Sequence, residues 1–476
     1  MALAAQSGGF LTVLKNKNFL RLWLAQLLSM TLLNASNYAL LILIDNITGS
    51  TTLVGVAIIC FSLPAVLFGA PAGVFVDHMN KRLVLWASNC LRALATLVFV
   101  FALLIDRSAL LPIYLLTFLI STIGQFFTPA EGSTIPILVG ESELLPALSL
   151  FNITFMLSQA LGYILFAPIL LSFLPTFKIF TISVDSIVQL YLIVVFFYFI
   201  CAGLILLIPS RKFIQEPSTT ASTGEAATQS LKVLGNVWHE MLEGWQFIRG
   251  NKHLLFAVIQ LSFAGVLLLV IVQLATPIVT QLLNLPAKQM AFVFAPAGLG
   301  LVLGSVLMPR VSRRFAKIRL MLTGTAALAV ATLLLPLITI LARFLQPQSW
   351  NSNPLLLVAI GLVMCLAGFA LDFINIPAQT AMQELTPDWI KGRVLSLQLV
   401  LYNACSIPVI LFMGVVADLF GVDRVLYLLT FCEIAFGAWS IYYHRKNLRT
   451  KPMHSATDVP NFQEASTLDS SPTPLH

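Results

Sequence analysis

The sequence predicts an all-α membrane protein whose twelve transmembrane helices form two parallel six-helix repeats. The first observation is composition, because 58% of the 476 residues are apolar and only 10% are charged, whereas soluble proteins average about 25% charged residues. The second is a series of apolar runs long enough to cross a bilayer, which takes about 20 residues. The third is that the second half of the chain repeats features of the first half in the same order.

Composition also excludes several classes of protein. A mean hydropathy of +0.91 leaves too few charges to cover a water-soluble surface, so a soluble enzyme, a secreted disulfide scaffold and a disordered protein are excluded. The six cysteines all lie in apolar runs without a CxxC pair, and we interpret them as small core residues. The net charge of +7 accompanies no nucleic-acid-binding motif, so no nucleic-acid partner is expected.

Twelve apolar runs predict the membrane spans. Spans 1 to 12 cover residues 18–44, 52–76, 83–105, 109–130, 146–173, 188–208, 253–283, 288–308, 319–341, 354–377, 393–417 and 424–443. Because a polar segment separates the first six from the last six, we predict four regions. They are an N-terminal half (1–208), a cytoplasmic linker with an amphipathic helix (209–252), a C-terminal half (253–443) and a disordered cytoplasmic tail (444–476).

The distribution of basic residues predicts the orientation of the spans. With both termini in the cytoplasm, 21 of the 27 Lys and Arg residues fall in cytoplasmic segments or at the span ends beside them, five fall on the outward side, and only Arg92 lies deep inside a span. This asymmetry is typical of the positive-inside rule. We therefore expect a multi-pass protein of the cell (plasma or inner) membrane with both termini cytoplasmic.

The two halves share short sequences in the same order. The matching segments are Asn16-Lys17-Asn18 with Asn251-Lys252-His253, Gly69/Gly73 with Gly300/Gly304, Thr128-Pro129-Ala130 with Ile376-Pro377-Ala378, and Leu148-Ser149-Leu150 with Leu395-Ser396-Leu397. Because the order is preserved, the repeats are parallel. Transporters built from such repeats bind their substrates at the repeat interface near the middle of the membrane.

The loop between spans 2 and 3 resembles the G-x-x-x-D-R-x-G-R-R signature of the major facilitator superfamily. The matching residues are Gly73, Asp77, Lys81 and Arg82, while residues 78 and 80 depart from the signature. The resemblance implies the major facilitator fold and a gating loop that helps to lock the outward-facing state. Glycines four residues apart would also allow close helix packing. The alternative interpretation is a basic anchoring loop without a gating role.

Further segments resemble one branch of that superfamily. Residues 129–136, 240–249 and 386–394 are similar to the drug:H+ antiporters that include macrolide efflux and enterobactin export proteins. This resemblance implies export of small molecules against proton influx. Span 5 departs from it, because exporters usually carry G-x-x-x-G-P-x-x-G-G there, whereas this chain has residues 162–168, GYILFAP. The departure weakens the inference of antiport, although Pro168 could bend the span.

Charged residues inside spans are candidates for function, because burying one in a membrane costs at least about 2.5–3.5 kcal/mol. Arg92 lies about 13 Å into span 3 at 1.5 Å per residue, where it could bind an anionic group, pair with an acid or make only a structural contact. Asp372 in span 10 and Glu433 in span 12 are the proton-coupling candidates, and Glu433 could instead be structural. Asp418 is expected to be a helix-end acid.

Uncharged polar residues in the spans predict a cavity for a molecule with apolar bulk and scattered polar groups. The cavity candidates are Asn34, Asn37, Gln125, Asn152, Gln159, Asn375 and Gln379, with Gln260, Gln273 and Asn403 as further members. Aromatic walls could come from Phe61, Phe126, Phe127, Phe155 and Tyr402. For any single residue, a hydrogen bond between helices is the alternative.

The leading hypothesis is a secondary transporter, expected to be a monomer, that exports hydrophobic or amphipathic small molecules by alternating access. Its expected partners are a small-molecule substrate, the lipid bilayer and a proton gradient. The chain contains no P-loop, HExxH or GxSxG motif, so no enzyme activity, cofactor or metal is expected. Two alternatives remain, which are a transporter of lysophospholipid-type lipids and a non-transporting membrane receptor or scaffold.

Overall fold

The computed structural model describes residues 12–77, 79–179, 182–213, 241–286, 289–347, 350–387 and 390–448. Twelve helical elements correspond one to one with the predicted spans. They are α1 (Lys17–Thr48), α2 (Thr51–Asp77), α3 (Lys81–Ile105), α4 (Leu110–Leu138), α5 (Glu141–Ala160, the π-helical turn Leu161–Phe166 and Ala167–Phe173), α6 (Ser186–Leu206), α7 (Lys252–Pro277 and the π-helical turn Ile278–Leu282), α8 (Met290–Val311), α9 (Lys317–Leu345), α10 (Pro354–Leu385), α11 (Lys391–Phe420) and α12 (Val422–Tyr443).

In the described part of the chain, eleven helices are long and apolar enough to cross a membrane, and α8 contributes the shorter apolar stretch Phe292–Met308. The predicted all-α membrane fold is confirmed. A small antiparallel hairpin of β1 (Phe177–Ile179) and β2 (Ile182–Val184) joins α5 to α6, and the sequence analysis did not predict it. Short 3-10 turns cover Ser210–Phe213 and Trp350–Ser352, and a π-helical turn covers His444–Leu448.

Asparagine caps explain one of the sequence repeats. Asn16 and Asn251 precede α1 and α7, and each side-chain oxygen accepts hydrogen bonds from the backbone amides two and three residues further along its helix. Asn80 and Asn353 cap α3 and α10. Because the first amides of a helix have no partner within it, such a cap stabilises the helix by about 1 kcal/mol. The repeated Asn-Lys pair therefore marks the equivalent start of both halves.

Helix packing follows the predicted parallel repeat. In the N-terminal half, α2 packs on α4, and α3 packs on α4 and α6. In the C-terminal half, the equivalent helices pack in the same way: α8 packs on α10, and α9 packs on α10 and α12. The two halves meet along α2 and α11, and the π-helical turn of α5 contacts α8. These two contacts are related by the same exchange of halves, so the interface is pseudo-symmetric.

The apolar core joins the two halves at one end only. We call the end near Lys17 and Tyr443 the terminal end. Around the opposite end, one cluster of buried side chains includes residues of both halves, such as Leu40 and Leu274. At the terminal end, the buried apolar residues that the structure describes form two separate clusters, one in each half. The bundle is therefore closed at the opposite end and divided at the terminal end.

Most of the predicted linker, residues 214–240, lies outside the described residues. Residues 1–11 and the predicted tail from residue 449 onward also lie outside them. A helix over residues 241–250 matches the end of the predicted amphipathic helix. It lies against the start of α11, where the Arg393 guanidinium donates to the Glu243 carboxylate at 2.5 Å. The division into four regions stays a prediction.

Candidate functional site

The two halves are joined at the opposite end by a carboxylate. Asp418, near the end of α11, accepts hydrogen bonds from the Ser50 hydroxyl at 2.6 Å and from the Thr51 and Thr52 amides at 2.6 and 3.0 Å. It therefore caps the start of α2, which belongs to the other half. A negative charge at a helix N-terminus is favourable because the free amides point towards it. Asp418 was predicted to be a helix-end acid, and the helix that it caps is α2.

Gln273 of α7 makes a second hydrogen-bonded contact between the two halves at the same end. Its buried amide nitrogen donates to the carbonyls of Thr51 and Ile410, both at 3.0 Å. A side chain at Gly55 or Gly414 would collide with this amide, because an added Cβ would lie 2.6 or 2.7 Å from the Gln273 nitrogen. Gln273 was predicted to line the cavity, whereas in the structure it holds α2, α7 and α11 together. We call these contacts of Asp418 and Gln273 the closure.

We expect Asp418→Asn to weaken the closure and to raise the population that is open at the opposite end. Hydrogen bonds to charged groups contribute about 1.5–3 kcal/mol, and 1.4 kcal/mol corresponds to tenfold in population, so the expected increase is about tenfold or more. Spin labels on α1 and α11 at that end would report the distance. Asp423→Asn, at the start of α12, is the matched control. Equal distance distributions in the two variants would contradict this role of Asp418.

A cluster of aromatic and amide side chains lies between the halves. Tyr163, on the π-helical turn of α5, lies close to Asn37 of α1 and interacts electrostatically with Tyr402 of α11. The Tyr38 ring packs edge-on against Tyr163 with 6.3 Å between the ring centroids. Tyr402 in turn lies against Gly265 of α7, where an added Cβ would be 2.6 Å from the ring. We call Asn37, Tyr38, Tyr163 and Tyr402 the tyrosine cluster.

A cleft opens beside the tyrosine cluster among α1, α3, α4 and α6. Its lining combines Ser36, Asn37, Thr117 and Ser121 with apolar side chains and with Tyr191. Tyr191 donates to the Ser36 carbonyl at 2.9 Å, which fixes the floor of the cleft. Apolar walls with a few polar groups are typical of small-molecule sites, but this cleft has only about 260 Å³ of empty volume with open solvent included, below the roughly 300–1,000 Å³ of such sites. It therefore offers only part of a substrate site. Of the predicted cavity residues, the structure brings Asn37 and Tyr402 to this region, and it adds Tyr163.

The remaining cavity candidates are more dispersed. Asn34 and Gln125 donate to carbonyls of their own helices at 2.9 and 3.5 Å. Gln159 is exposed, and Asn375 and Gln379 are half-buried on α10. The side chain of Asn152 lies outside the described residues. Their roles in substrate binding stay predictions.

Helix α5 is interrupted in the stretch where the exporter motif is missing. A π-helical turn over Leu161–Phe166 precedes Pro168, and such turns often mark functional positions in helices. Gly162 sits where an added Cβ would be 2.5 Å from the Asn34 Cβ and 2.7 Å from the Thr31 carbonyl oxygen. This single glycine therefore permits the close contact of α5 with α1.

The two proton-coupling candidates lie between neighbouring helices of the C-terminal half. Asp372 accepts a hydrogen bond from the Ser305 hydroxyl at 2.7 Å, between α10 and α8. Glu433 is fully buried and accepts from the Thr332 hydroxyl at 2.6 Å, between α12 and α9. Neither side chain belongs to the tyrosine cluster, and their coupling roles stay predictions.

Arg92 forms a buried charged cluster with a residue that the sequence analysis missed. Its guanidinium interacts electrostatically with Glu131 of α4. The predicted span 4 ended at residue 130, whereas α4 continues to Leu138 and buries Glu131 inside the bundle. Pro129 and Pro136 both lie inside this helix. The apolar run from Ile135 to Val139 was the available signal that the helix continues.

The predicted gating loop has mixed contacts. Arg82 donates to the Leu206 carbonyl at 2.6 Å, and Arg21 donates to the Leu207 carbonyl at 2.6 Å, so two arginines cap the end of α6. Lys81 begins α3. An added Cβ at Gly73 would meet nothing within 4 Å, so the expected close packing of this glycine is wrong in this conformation. The Asp77 side chain and residue 78 lie outside the described residues, and the gating role stays a prediction.

Within the described part of the chain, no group of three or more His, Cys, Asp and Glu side chains could hold a metal ion. The described side chains of the site are aromatic rings, amides and hydroxyls, and buried charges lie in the helices around it. These groups can bind a molecule and exchange protons.

Comparisons with known proteins agree with this geometry. A family model described as the Major Facilitator Superfamily matches residues 22–407. An uncharacterized MFS-type transporter of Bacillus subtilis, YfiS, is 24% identical over 366 residues, which cover 76% of this chain and 78% of that relative. Macrolide efflux protein A of Streptococcus pyogenes is 27% identical over 157 residues, which cover 31% of this chain and 38% of that protein. The inward-facing structure of a bacterial homologue of the human lysosomal transporter Spinster superposes with a TM-score of 0.67 at 13% identity, covering 92% of this chain and 98% of that one.

Proposed function

This chain belongs to the Major Facilitator Superfamily, and from that premise we propose that it exports hydrophobic or amphipathic small molecules by alternating access coupled to proton influx. Membership makes it a multi-pass membrane transporter rather than an enzyme. Transporters of this family carry small-molecule substrates across a membrane. The direction of transport, the substrate class and the coupling are the proposed part.

The observation that carries the proposal is the divided core. One apolar cluster joins the halves at the opposite end, and two separate clusters occupy the terminal end. A bundle that is closed at one end and divided at the other has the arrangement that rocking of two rigid repeats requires. Because packed interfaces are bistable rather than continuously deformable, breaking the closure would allow the opposite state to form.

The proposed substrate class follows from the tyrosine cluster and the adjoining cleft. Three phenol rings offer apolar and stacking surface, while Asn37, Thr117 and Ser121 offer a few hydrogen-bonding groups. Such a lining suits a molecule that is mostly apolar and carries scattered polar groups. The sequence similarity to a macrolide efflux protein supports export of compounds of that kind.

We place the protein in the cell membrane with both termini cytoplasmic. The support is the distribution of Lys and Arg, since 21 of 27 lie in the segments on that side. In this orientation, the terminal end faces the cytoplasm, and the divided core corresponds to a state that loads substrate from inside the cell. The similarity in fold to the inward-facing structure of the bacterial Spinster homologue agrees with that assignment.

Everted membrane vesicles that hold a proton gradient provide the test. Adding an exported substrate should dissipate the acid interior, because each transported molecule would release protons from the lumen, and a trapped pH-sensitive dye would report the change. Vesicles without the protein are the control. The panel should contain a macrolide, a siderophore and a lysophospholipid, and a response to the lysophospholipid alone would indicate a lipid transporter. No response to any compound would overturn proton-coupled export.

A further inference from the structure

We propose that Glu131 of α4 carries the coupled proton and that Arg92 of α3 provides the positive charge to which it responds. The inference rests on the proposed function and names the residues that would couple proton influx to the movement of the halves. Both ionisable side chains lie inside the N-terminal six-helix half.

Both side chains are buried to an extent that is unusual for charged groups. Arg92 is 2% exposed and Glu131 is 1% exposed. Removing a charge from water into the interior of a protein costs several kcal/mol unless hydrogen bonds and an opposite charge compensate. Ionisable residues retained in membrane helices are functional by default for this reason.

The groups around Arg92 satisfy only some of the hydrogen-bond donors of its guanidinium. Its Nη1 donates to the Ser29 hydroxyl at 2.8 Å, and Ser29 donates to the Asn89 amide oxygen at 3.0 Å. The guanidinium lies 5.3 Å from the centroid of the Phe127 ring and 5.9 Å from that of Tyr198, which adds cation–π stabilisation. Its Nε, however, is buried without a hydrogen-bond partner.

Glu131 has a matching unsatisfied atom. Its Oε2 is buried without a hydrogen-bond partner, although the carboxyl group is close enough to interact electrostatically with Arg92. A purely structural ion pair in such a site would be joined by hydrogen bonds, because the pairing must offset the desolvation of both charges. Here the acid and the base are neighbours with unused hydrogen-bonding atoms.

Gly124 explains how the guanidinium reaches this position. An added Cβ there would be 2.6 Å from the Arg92 Nη2, so the absence of a side chain leaves room for the arginine against α4. Glu131 follows two turns later on the same helix, about 10 Å further towards the terminal end at 1.5 Å per residue. The intervening Phe127 belongs to the terminal-end core cluster of this half. A proton on Glu131 would therefore affect the end at which the halves separate.

Few other ionisable groups reach this pair. In the described part of the bundle, the groups that act electrostatically on Arg92 are Tyr198 and Cys201 of α6 together with Glu131, and the group that acts on Glu131 is Arg92. From α1, the facing polar group is Ser29, which does not titrate. Asp372 and Glu433 accept hydrogen bonds from hydroxyl groups, and the buried Asp45 of α1 interacts with another carboxylate, that of Asp418. Among the buried acids that the structure describes, Glu131 is thus the one that interacts with a cation.

The coupling step is a single reversible proton transfer. When a proton binds a Glu131 carboxylate oxygen, the carboxyl group becomes neutral and its attraction to Arg92 is lost. When that proton leaves, the carboxylate is charged again and attracts the guanidinium. One proton enters and one leaves in each cycle. The two arrangements differ in the contact between α3 and α4, which form part of the rigid N-terminal half.

The test uses the full chain in lipid nanodiscs, with pH itself as the probe. Spin labels on the two halves at the terminal end would report their separation, and infrared spectroscopy would detect the protonated carboxyl group. In the unsubstituted protein, the separation should change with pH, and in Glu131→Gln that pH response should be lost together with one carboxyl band. Glu131→Asp retains the acid and should restore a response with a shifted midpoint. Glu143→Gln, at the start of α5, is the matched control and should respond normally.

Each outcome decides between the proposals. A Glu131→Gln protein that keeps the original midpoint, or an unsubstituted protein whose separation ignores pH, overturns the role of Glu131. If Glu131→Gln fails to fold, Glu131→Asp decides, because an unshifted midpoint in that variant also overturns the role. Alternating access itself would survive each of these results, since the cross-linking experiment described below tests it without reference to protons.

Discussion

Cross-linking Ser50→Cys to Asp418→Cys should abolish transport, and reduction should restore it. The Ser50 hydroxyl and the Asp418 carboxylate are 2.6 Å apart across the two halves, so a short bis-thiosulfonate reagent can bridge cysteines there. Alternating access requires this end to open once in every cycle. A covalent bridge would hold it closed, and the expected result is complete loss of substrate flux in proteoliposomes.

The design needs a background without the six free cysteines, which are Cys60, Cys90, Cys201, Cys365, Cys405 and Cys432. A matched control joins Gln346→Cys to Asn353→Cys. These side chains are 3.0 Å apart at the same end, but both belong to the C-terminal half, so their bridge leaves movement between the halves free. Transport that survives the Ser50–Asp418 bridge would contradict alternating access and favour a receptor or scaffold.

The sequence predicted the helices well because the signals for them are local. Apolar length identifies a span, and an asparagine cap marks its start, so the predicted start of span 7 lies within one residue of α7. The end of a span was harder to predict than its start. Span 4 was ended at residue 130, which removed Glu131 from the membrane, although neighbouring helices can support a proline inside a transmembrane helix.

Contacts between distant helices could not be predicted in the same way. Gln273 is a polar residue inside a span, as a cavity residue would be, yet its side chain donates to two backbone carbonyls that lie 222 and 137 positions away in the chain. Asp418 was assigned to a helix end, but the partner helix could not be identified, because any exposed N-terminus offers the same free amides. Only the packing of the halves decides which polar group in a membrane helix binds substrate and which holds the bundle together.

Glycine pairs at equivalent positions of the two halves have different surroundings in the structure. Gly69 and Gly73 of α2 have open space where a Cβ would lie. Their counterparts in α8 are tightly packed, since an added Cβ at Gly304 would be 2.8 Å from the Asp372 Cβ, and one at Gly300 would overlap the Cys365 carbonyl oxygen. Small residues allow helices in a membrane to approach until their backbones touch. In this state, α8 and α10 use that property, whereas α2 does not use it at these two positions.

Gly300→Ala should therefore destabilise the protein far more than Gly69→Ala, its equivalent in the other half. The added methyl group would meet backbone atoms of α10, which cannot rotate away as a side chain could, and overpacking of this kind costs about 1–3 kcal/mol or more. An added Cβ at Gly368 of α10 would likewise overlap the Ala297 carbonyl oxygen. Neither helix therefore has room for a side chain at this contact. Thermal unfolding in detergent should give a clearly lower melting temperature, or little folded protein, for Gly300→Ala. Equal melting temperatures for the two variants would mean that α8 and α10 can separate without loss of stability.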